Sequence, residues 1–514
     1  MQNQAVYINK LHQYINLKRA LILRDGDIVS GIMGFSAGTG NIDFLAVHLQ
    51  YRHMGIEKLF IKKLLDGLLY SREITLTTFR AGDKADTGYR EKYCRLGFEE
   101  RELLVEYGYP VQRFVDSNAL SSINIVCPVI NIIVGLGTMF GAGGSAVIAK
   151  KMGSGNMDEA RSNFTLIIIT GIVTGLVITV IGLLFIDKII WGLGASKILF
   201  PYCKDYLEIQ LIFAVLDIMQ VLYQNLFVTA GRPGLGLILS ISAGIANIVF
   251  DYIFIVCLRM GVTGAALGTG TGYIIPAITG TIFFLAGRKG LHFCKPKMDI
   301  HVLIKSCSNG VSEMISQLSA AMATFLFNIT MMKLAGEDGV AAITVIIYSG
   351  FLLTSIYIGF SMGVAPVISY NYGAGNIKQL KKVLHICFCF IISISISIFL
   401  FSLFNGKNIA KLFAANNKNV YEITKTGFTI YSFSFLFSGC NIFTSALFTA
   451  LSNGKLSAII SFLRTFGFIV VVLLILPEFL KITGVWLAVP VAELLTSVLA
   501  VCLIYRYNKQ YNYL

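Results

Sequence analysis

Asp251 stands inside a long apolar run, four residues after Asn247. On a helix that spacing stacks both side chains on one face. A carboxylate beside an amide oxygen offers hard oxygen ligands to sodium, or a carboxyl group able to trade a proton. A carboxylate held by helix–helix hydrogen bonds is the other reading. Glu313 lies in a second apolar run with Gln317 one turn later on the same face. It reads as a site for a proton or an organic cation, or as a group bonded to nearby backbone. Asp217, again in mid-run, is a further candidate. Arg464 and Glu493 fall in the last two runs, where opposite charges can pair in a structural role. Ionisable groups at bilayer depth are costly, which makes each of these a candidate.

The elements that must position them are membrane helices. Apolar residues make up 55% of the 514 and charged residues 14%, against about 25% charged in soluble domains. Residues 1–113 hold 16 Lys+Arg and 13 Asp+Glu, whereas 114–514 hold 26 and 15. The first segment therefore reads as soluble and the rest as membrane-embedded. A helix needs about 20 mostly apolar residues to span a bilayer. Eleven stretches qualify: 120–149, 164–190, 205–230, 235–257, 263–286, 302–332, 339–366, 383–404, 424–451, 455–477 and 482–505. Gly and Pro inside them (Pro128, Gly135, Gly137, Gly141, Gly143, Gly144, Gly363, Pro366) permit close packing or bending. The many Phe and Met residues suit a cavity for flat cations or lipid-facing packing.

The net charge of +14 lies mostly in loops, which fits cytoplasmic loop enrichment and anionic headgroups better than nucleic acid. The loops after the odd-numbered spans, with the C-terminus, carry about fifteen basic residues against about ten in the other set. They include Lys150, Lys151, Arg161, Arg288, Lys289 and Lys378. That bias puts the C-terminus in the cytoplasm and the chain in the cell membrane. The ten cysteines form no CxxC pair and the six histidines no HExxH, so neither a disulfide framework nor a metal centre beyond sodium at Asn247 and Asp251 is expected. The first forty residues hold no apolar signal-peptide core.

An internal repeat organises the membrane part. Gly143 matches Gly363, Ile148 matches Ile368, and Gly155-Asn156 matches Gly375-Asn376; Thr229-Ala230 matches Thr449-Ala450, and Thr263-Gly264 matches Thr483-Gly484. Every offset is 220, and both copies run in the same direction. The sixth span opens the second copy, so its counterpart should lie at 82–112. That stretch is too charged to cross a bilayer, at about 2.5–3.5 kcal/mol for each central charge. The first copy has lost its first helix, and residues 1–113 stand in its place.

The strings MFGAGGSAVIAKKMGSGNMDEAR (139–161), GFSMGVAPVISYNYGAGNIKQLKK (359–382), YQNLFVTAGRP (223–233) and NGVSEMISQLS (309–319) resemble the multidrug and toxic compound extrusion (MATE) family. The likeness covers about residues 115–514, in register with helices two to twelve of a twelve-helix fold. It implies export of bulky, often cationic compounds driven by sodium or proton entry, through two six-helix lobes around a cavity. It further implies that Asn247 and Asp251 belong to the N-lobe cation site, with Asn225 as a third member, and that Glu313 occupies an often acidic position opening the second lobe. The family's N-lobe site usually takes another Asp from the absent first helix, and nothing suggests that Asp116 replaces it.

Residues 1–113 resemble a GCN5-related acetyltransferase (GNAT). GNIDFLAVHLQYRHMGIEKLFIKKLL reads as strand, tight turn and helix, the acyl-CoA-binding unit of that family, where helix N-terminal amides hold a pyrophosphate. Arg52 and Gly55 match its Q/R-x-x-G-x-G/A signature, but Glu57 stands where a small residue belongs. YCRLGFEE (93–100) would make Tyr93 the general acid. The expected fold is mainly α, a MATE-like bundle of about 11 spans in two repeat-related lobes (114–300 and 301–514) behind a small α/β domain (1–113). The expected function is a monomeric cation-coupled antiporter in contact with membrane lipids. It needs no cofactor, and its N-terminal acetyl-CoA site is a remnant. A membrane-anchored acetyltransferase and a lipid or polysaccharide flippase are the alternatives. Loss of the first helix also sets a topology conflict: residues 1–113 lie outside, where acetyl-CoA is absent, or they stay in the cytoplasm and the first span either inverts against Lys150 and Lys151 or fails to insert.

Overall fold

The computed structural model describes residues 12–511 except 18, 37–40, 53, 68–73, 84–85, 87, 96–97, 107–108, 117, 196–198, 259, 288–289 and 415–417. Arg288, Lys289 and the Leu96-Gly97 pair of the YCRLGFEE string therefore lie outside the described residues. The chain forms two compact units. One holds Met1–Cys127, Gly182–Ile212 and Ile245–Thr271; the other holds Pro128–Ile181, Phe213–Gly244 and Gly272–Leu514.

The first unit opens with a six-stranded sheet: β1 (Ala20–Asp25), β2 (Ile28–Ser36), β3 (Asn41–Val47), β4 (Thr75–Phe79), β5 (Phe98–Glu106) and β6 (Tyr109–Asp116), in the order β1-β2-β3-β4-β6-β5. All neighbours are antiparallel except β3 and β4, which pair at Asn41↔Thr75 and Ile42↔Leu76. A parallel pair needs a crossover, and helix α1 (Ile56–Gly67) supplies it. Its apolar residues Ile56, Phe60 and Leu64 bury against Met33, Phe35, Ile42, Leu76 and Phe114 of the sheet. A short helix α2 (Tyr89–Arg95) precedes β5. Residues 82–112 thus hold α2, β5 and the first half of β6, and among the described residues no membrane span. Asp116 ends β6 opposite Phe98, so its backbone belongs to the sheet and not to a membrane helix.

The remaining chain is helical: α3 (Asn118–Gly153), α4 (Met157–Leu184), α5 (Ile186–Gly192), α6 (Phe200–Ile212), α7 (Ala214–Thr229), α8 (Pro233–Asp251) and α9 (Gly261–Ala286). Then come α10 (Ile300–Gly336), α11 (Asp338–Gly373), α12 (Ile377–Ala414), α13 (Lys418–Tyr431), α14 (Phe435–Ala450), α15 (Gly454–Phe462), α16 (Phe468–Leu480) and α17 (Ile482–Tyr511). Among the described residues ten helical stretches are long and apolar enough to cross a membrane, or eleven with α6 and α7 taken as one broken span. The chain is a multi-pass membrane protein. Expected spans are corrected at three places. The third, 205–230, is broken at Phe213. The fourth leaves α geometry after Asp251 and ends as a π-helix, Tyr252–Cys257. The tenth carries a π segment, Leu463–Gly467, between α15 and α16. Apolar length finds a span but is blind to such local rewinding. α10 and α11 meet at Gly336, whose φ of 62° and ψ of −150° turn the chain within one residue.

The repeat is visible in the backbone. After α3, Ser154, Gly155 and Asn156 donate to the carbonyls of Lys150, Met152 and Lys151; after α11, Ala374, Gly375 and Asn376 donate to Tyr370, Tyr372 and Asn371. Gly155 and Gly375 both hold positive φ there, 82° and 66°. At the α7–α8 turn the correspondence slips by one residue. The donors Ala230, Gly231 and Arg232 are mirrored by Leu451, Ser452 and Asn453, an offset of 221, so Pro233 and not Gly234 corresponds to Gly454.

In the second unit, glycines on two pairs of helices approach each other's backbone reciprocally. A Cβ on Gly143 of α3 would stand 1.9 Å from the Ser306 carbonyl oxygen of α10, and one on Gly310 would stand 1.9 Å from that of Met139. Gly153 and Gly373 make the same reciprocal approach between α3 and α11, at 2.0 Å from the Tyr370 oxygen and 2.1 Å from the Lys150 oxygen. Gly143→Leu should therefore destabilise the folded protein in detergent by about 1–3 kcal/mol or more through overpacking. Gly363→Leu, at a position with nothing within 4 Å, should not. Equal thermal midpoints for the two variants would refute this reading.

Candidate functional site

Asp251 is the last residue of α8, where the helix rewinds into its π segment. Its side chain is half-buried, and its Oδ1 is buried with no hydrogen-bond partner. It points at α9: a Cβ on Gly268 would stand 1.9 Å from that oxygen. Glycine at 268 is thus what admits the carboxylate between the two helices. Tyr206 of α6 faces Thr269, Gln210 and the Asp251 carboxylate, and Gln210 Nε2 donates to the Ala266 carbonyl at 3.4 Å. Asn247 is half-buried one turn before Asp251. Reading the sequence did not single out Tyr206, Gln210, Gly268 or Thr269. The i, i+4 spacing of Tyr206 and Gln210 was the available signal, but one aromatic and one amide on an apolar helix look like ordinary packing.

The other candidates belong to the second unit. Asp217 is buried in the first turn of α7, just past the break at Phe213. Asn225 lies further along α7, where its amide donates to the Val221 carbonyl at 3.0 Å and packs over Gly141 of α3. One of its two amide N–H groups is thus engaged by its own helix. Glu313 and Gln317 are half-buried on α10, with Gln317 beside Gly135 of α3. Glu313 is in electrostatic reach of Arg464. Arg464, in the π segment, pairs with Glu493 of α17 through Nε at 2.9 Å from Oε1. The Asn441 amide of α14 donates to Glu493 Oε2 at 2.7 Å and to its carbonyl at 2.8 Å, and Ser497 Oγ donates to Asn441 Oδ1 at 2.9 Å. The pairing of Arg464 with Glu493 follows from their charges. Asn441 and Ser497 were not legible, because amides and hydroxyls in apolar helices are too common to stand out.

In the sheet domain, Arg52 is exposed, and Gly55 holds a φ of 72° in the turn before α1. Glu57 in the first turn of α1 is buried and ion-paired with Lys92, whose ammonium also reaches the Arg52 carbonyl at 3.4 Å. The carboxylate that departs from the nucleotide-binding signature is therefore engaged by a lysine of the chain itself. Tyr93 is 8% exposed and packs on Phe98, Phe114 and Tyr89. Its ring, expected to serve as general acid if the domain were an active acetyltransferase, is part of the domain core. Among the described residues no group of three or more His, Cys, Asp and Glu could hold a metal.

Two outcomes follow. Arg464→Met should cost about 3–5 kcal/mol by leaving a buried carboxylate without its cation. Arg464→Met with Glu493→Leu should recover much of that in detergent melting; a double variant as unstable as the single would refute the pairing. Burial, with smaller effects from Tyr89 and Glu57, raises the Tyr93 pKa. A raised pKa means the fold holds the neutral ring. That stability is complete below the unfolded pKa of about 10 and is lost as pH rises beyond it. Tyr93→Phe should make the sheet's thermal midpoint fall less than that of wild type as pH rises through and beyond about 10; equal falls would refute this.

The geometry can be set beside known proteins. The family model MatE matches residues 109–253 and 314–475. The multidrug export protein MepA of Staphylococcus haemolyticus is 26% identical over 414 residues, covering 76% of this chain and 86% of that protein. MepA of Staphylococcus aureus is likewise 26% identical over 405 residues with the same coverage. The fold is similar to a MATE structure in complex with MaL6 (TM-score 0.74, 20% identity, 77% of this chain and 89% of that one). It is also similar to a MOP superfamily transporter from Pyrococcus furiosus (TM-score 0.70, 21% identity, 74% of this chain and 86% of that one). The family model covers more than half of the sequence, and the chain belongs to the MatE family of membrane transporters.

Proposed function

We propose that this chain is a cation-coupled antiporter that exports drugs or other bulky, often cationic organic compounds. Two lobes, 114–300 and 301–514, would alternate access to the two sides of the cell membrane, with the C-terminus in the cytoplasm. The observation that carries the reading is Asp251, a carboxylate within a membrane span with a buried, unpartnered oxygen and a glycine opposite to make room. A charge at the bilayer centre costs about 2.5–3.5 kcal/mol on the translocon scale. Ionisable groups kept within spans commonly mark ion pathways and proton relays. Sodium and a proton are both suited: Tyr206, Thr269 and Asn247 could supply further oxygens to the first, and the carboxyl group alone suffices for the second. The multidrug export relatives support the substrate class. Glu313, in the second lobe, is the group proposed to meet a cationic substrate or a second proton, with Gln317 beside it.

The sheet domain is proposed to be without acetyl transfer. Glu57 brings a carboxylate to the helix end where a pyrophosphate would sit, and Tyr93 is buried. Both observations weigh against a membrane-anchored acetyltransferase. Dye efflux from an efflux-deficient strain tests the exporter reading, under imposed sodium and proton gradients in turn. Wild type should extrude dye under one gradient and Asp251→Asn should lose at least tenfold of that rate. Equal efflux by both proteins would remove Asp251 from the mechanism. No efflux from well-inserted wild type would remove the exporter.

A further inference from the structure

The repeat lets one copy report what the other lacks. On α3 the residues Gly135, Met139, Gly143 and Val147 lie four apart and are all buried. Three of them face α10: Gly135 meets Met314, Met139 meets Gly310, and Gly143 meets Ser306. Their repeat mates on α11 are Ser355, Gly359, Gly363 and Val367. Three of these are exposed and Gly363 is half-buried; Val367 is 46% exposed against 5% for Val147. Neither Gly359 nor Gly363 has anything within 4 Å of where a Cβ would be. The nearby pair Gly153 and Gly373 keeps its symmetry in full, so the difference is local to the face that α10 covers. The same difference recurs on α8. Gly454 of α15 is buried with its Cβ position 1.8 Å from the Ser308 oxygen of α10, while its mate Pro233 is exposed. The span containing α8 is the least buried of the ten, 11% against 22% for its partner in the other copy.

From this we infer that the Ser355–Gly359–Gly363–Val367 face of α11, with the Pro233 end of α8, is the seat of a transmembrane helix supplied by a separate polypeptide. Lipid gains nothing from glycines four apart, whereas a helix with small residues at the crossing gains a backbone-to-backbone approach. The partner's chemistry is that of α10, the helix on the equivalent faces of the other copy: a single apolar span with Ser or Gly at the positions of Ser306, Ser308 and Gly310, entering from the same side. The inference rests on the repeat and not on the transport reading.

The test uses the full chain with Gly363→Cys, co-expressed with a tagged segment of residues 300–336 that carries Gly310→Cys and Cys307→Ser. Disulfide formation under mild oxidant is expected, because glycine backbones this close bring Cα atoms within cross-linking range of about 4.4–6.8 Å. The yield should exceed at least fivefold that of the unsubstituted chain, and of a chain with Val173→Cys on the exposed side of α4. Equal yields would overturn the seat. So would a covalent dimer of the full chain as the dominant product, which would assign the face to a second copy. A specific adduct in cells without dye efflux would keep the seat and refute the exporter.

Discussion

Helices in hydrocarbon gain no hydrophobic drive from touching each other, so a tight crossing must be built from packing and small residues. The second unit depends on this constraint where α3 meets α10 through Gly143 and Gly310 and where it meets α11 through Gly153 and Gly373. At both, carbonyl oxygens occupy the space a side chain would fill. The rest of the unit is arranged from these contacts: α10 continues onto α14 and α15, where Ser312, Thr449, Ser457, Ser445 and Ser461 form a lane of hydroxyl contacts.

Four ionisable groups in the spans, though not Glu313 in the regular stretch of α10, share a second property. Asp217 follows the break at Phe213, Asp251 precedes one π segment, Arg464 lies inside another, and Glu493 stands three residues after Pro490. A regular helix in lipid satisfies all its own backbone groups. Where it rewinds, side chains are re-aimed and backbone groups become available, and π segments are often found where function is. Polar residues and backbone irregularity thus mark the same places by two routes.

How much of this could be read beforehand depended on the physics involved. Span positions came from hydropathy, because cost per residue accumulates along about 20 positions. The absence of a span at 82–112 was equally plain, since charge density there is prohibitive. The break at Phe213, the π segments and the one-residue slip near Pro233 were not legible, for each depends on packing that no local composition announces. Asp251 and Glu313 stood out because carboxylates are rare at depth, whereas Gly268 is one glycine among 49. The burial of Tyr93 was not legible, because a tyrosine before a Gly-Phe pair fits a catalytic motif and a sheet core equally well.

The turn at Gly336 carries a consequence for how the protein is made. α10 and α11 are joined with almost no loop, and Glu337 and Asp338 sit at the tip. Neither helix can linger in water while the other enters the bilayer, because no slack separates them. A junction this short ties their entry into the bilayer together as one hairpin, a single step of biogenesis in which the second copy acquires its opening pair of helices.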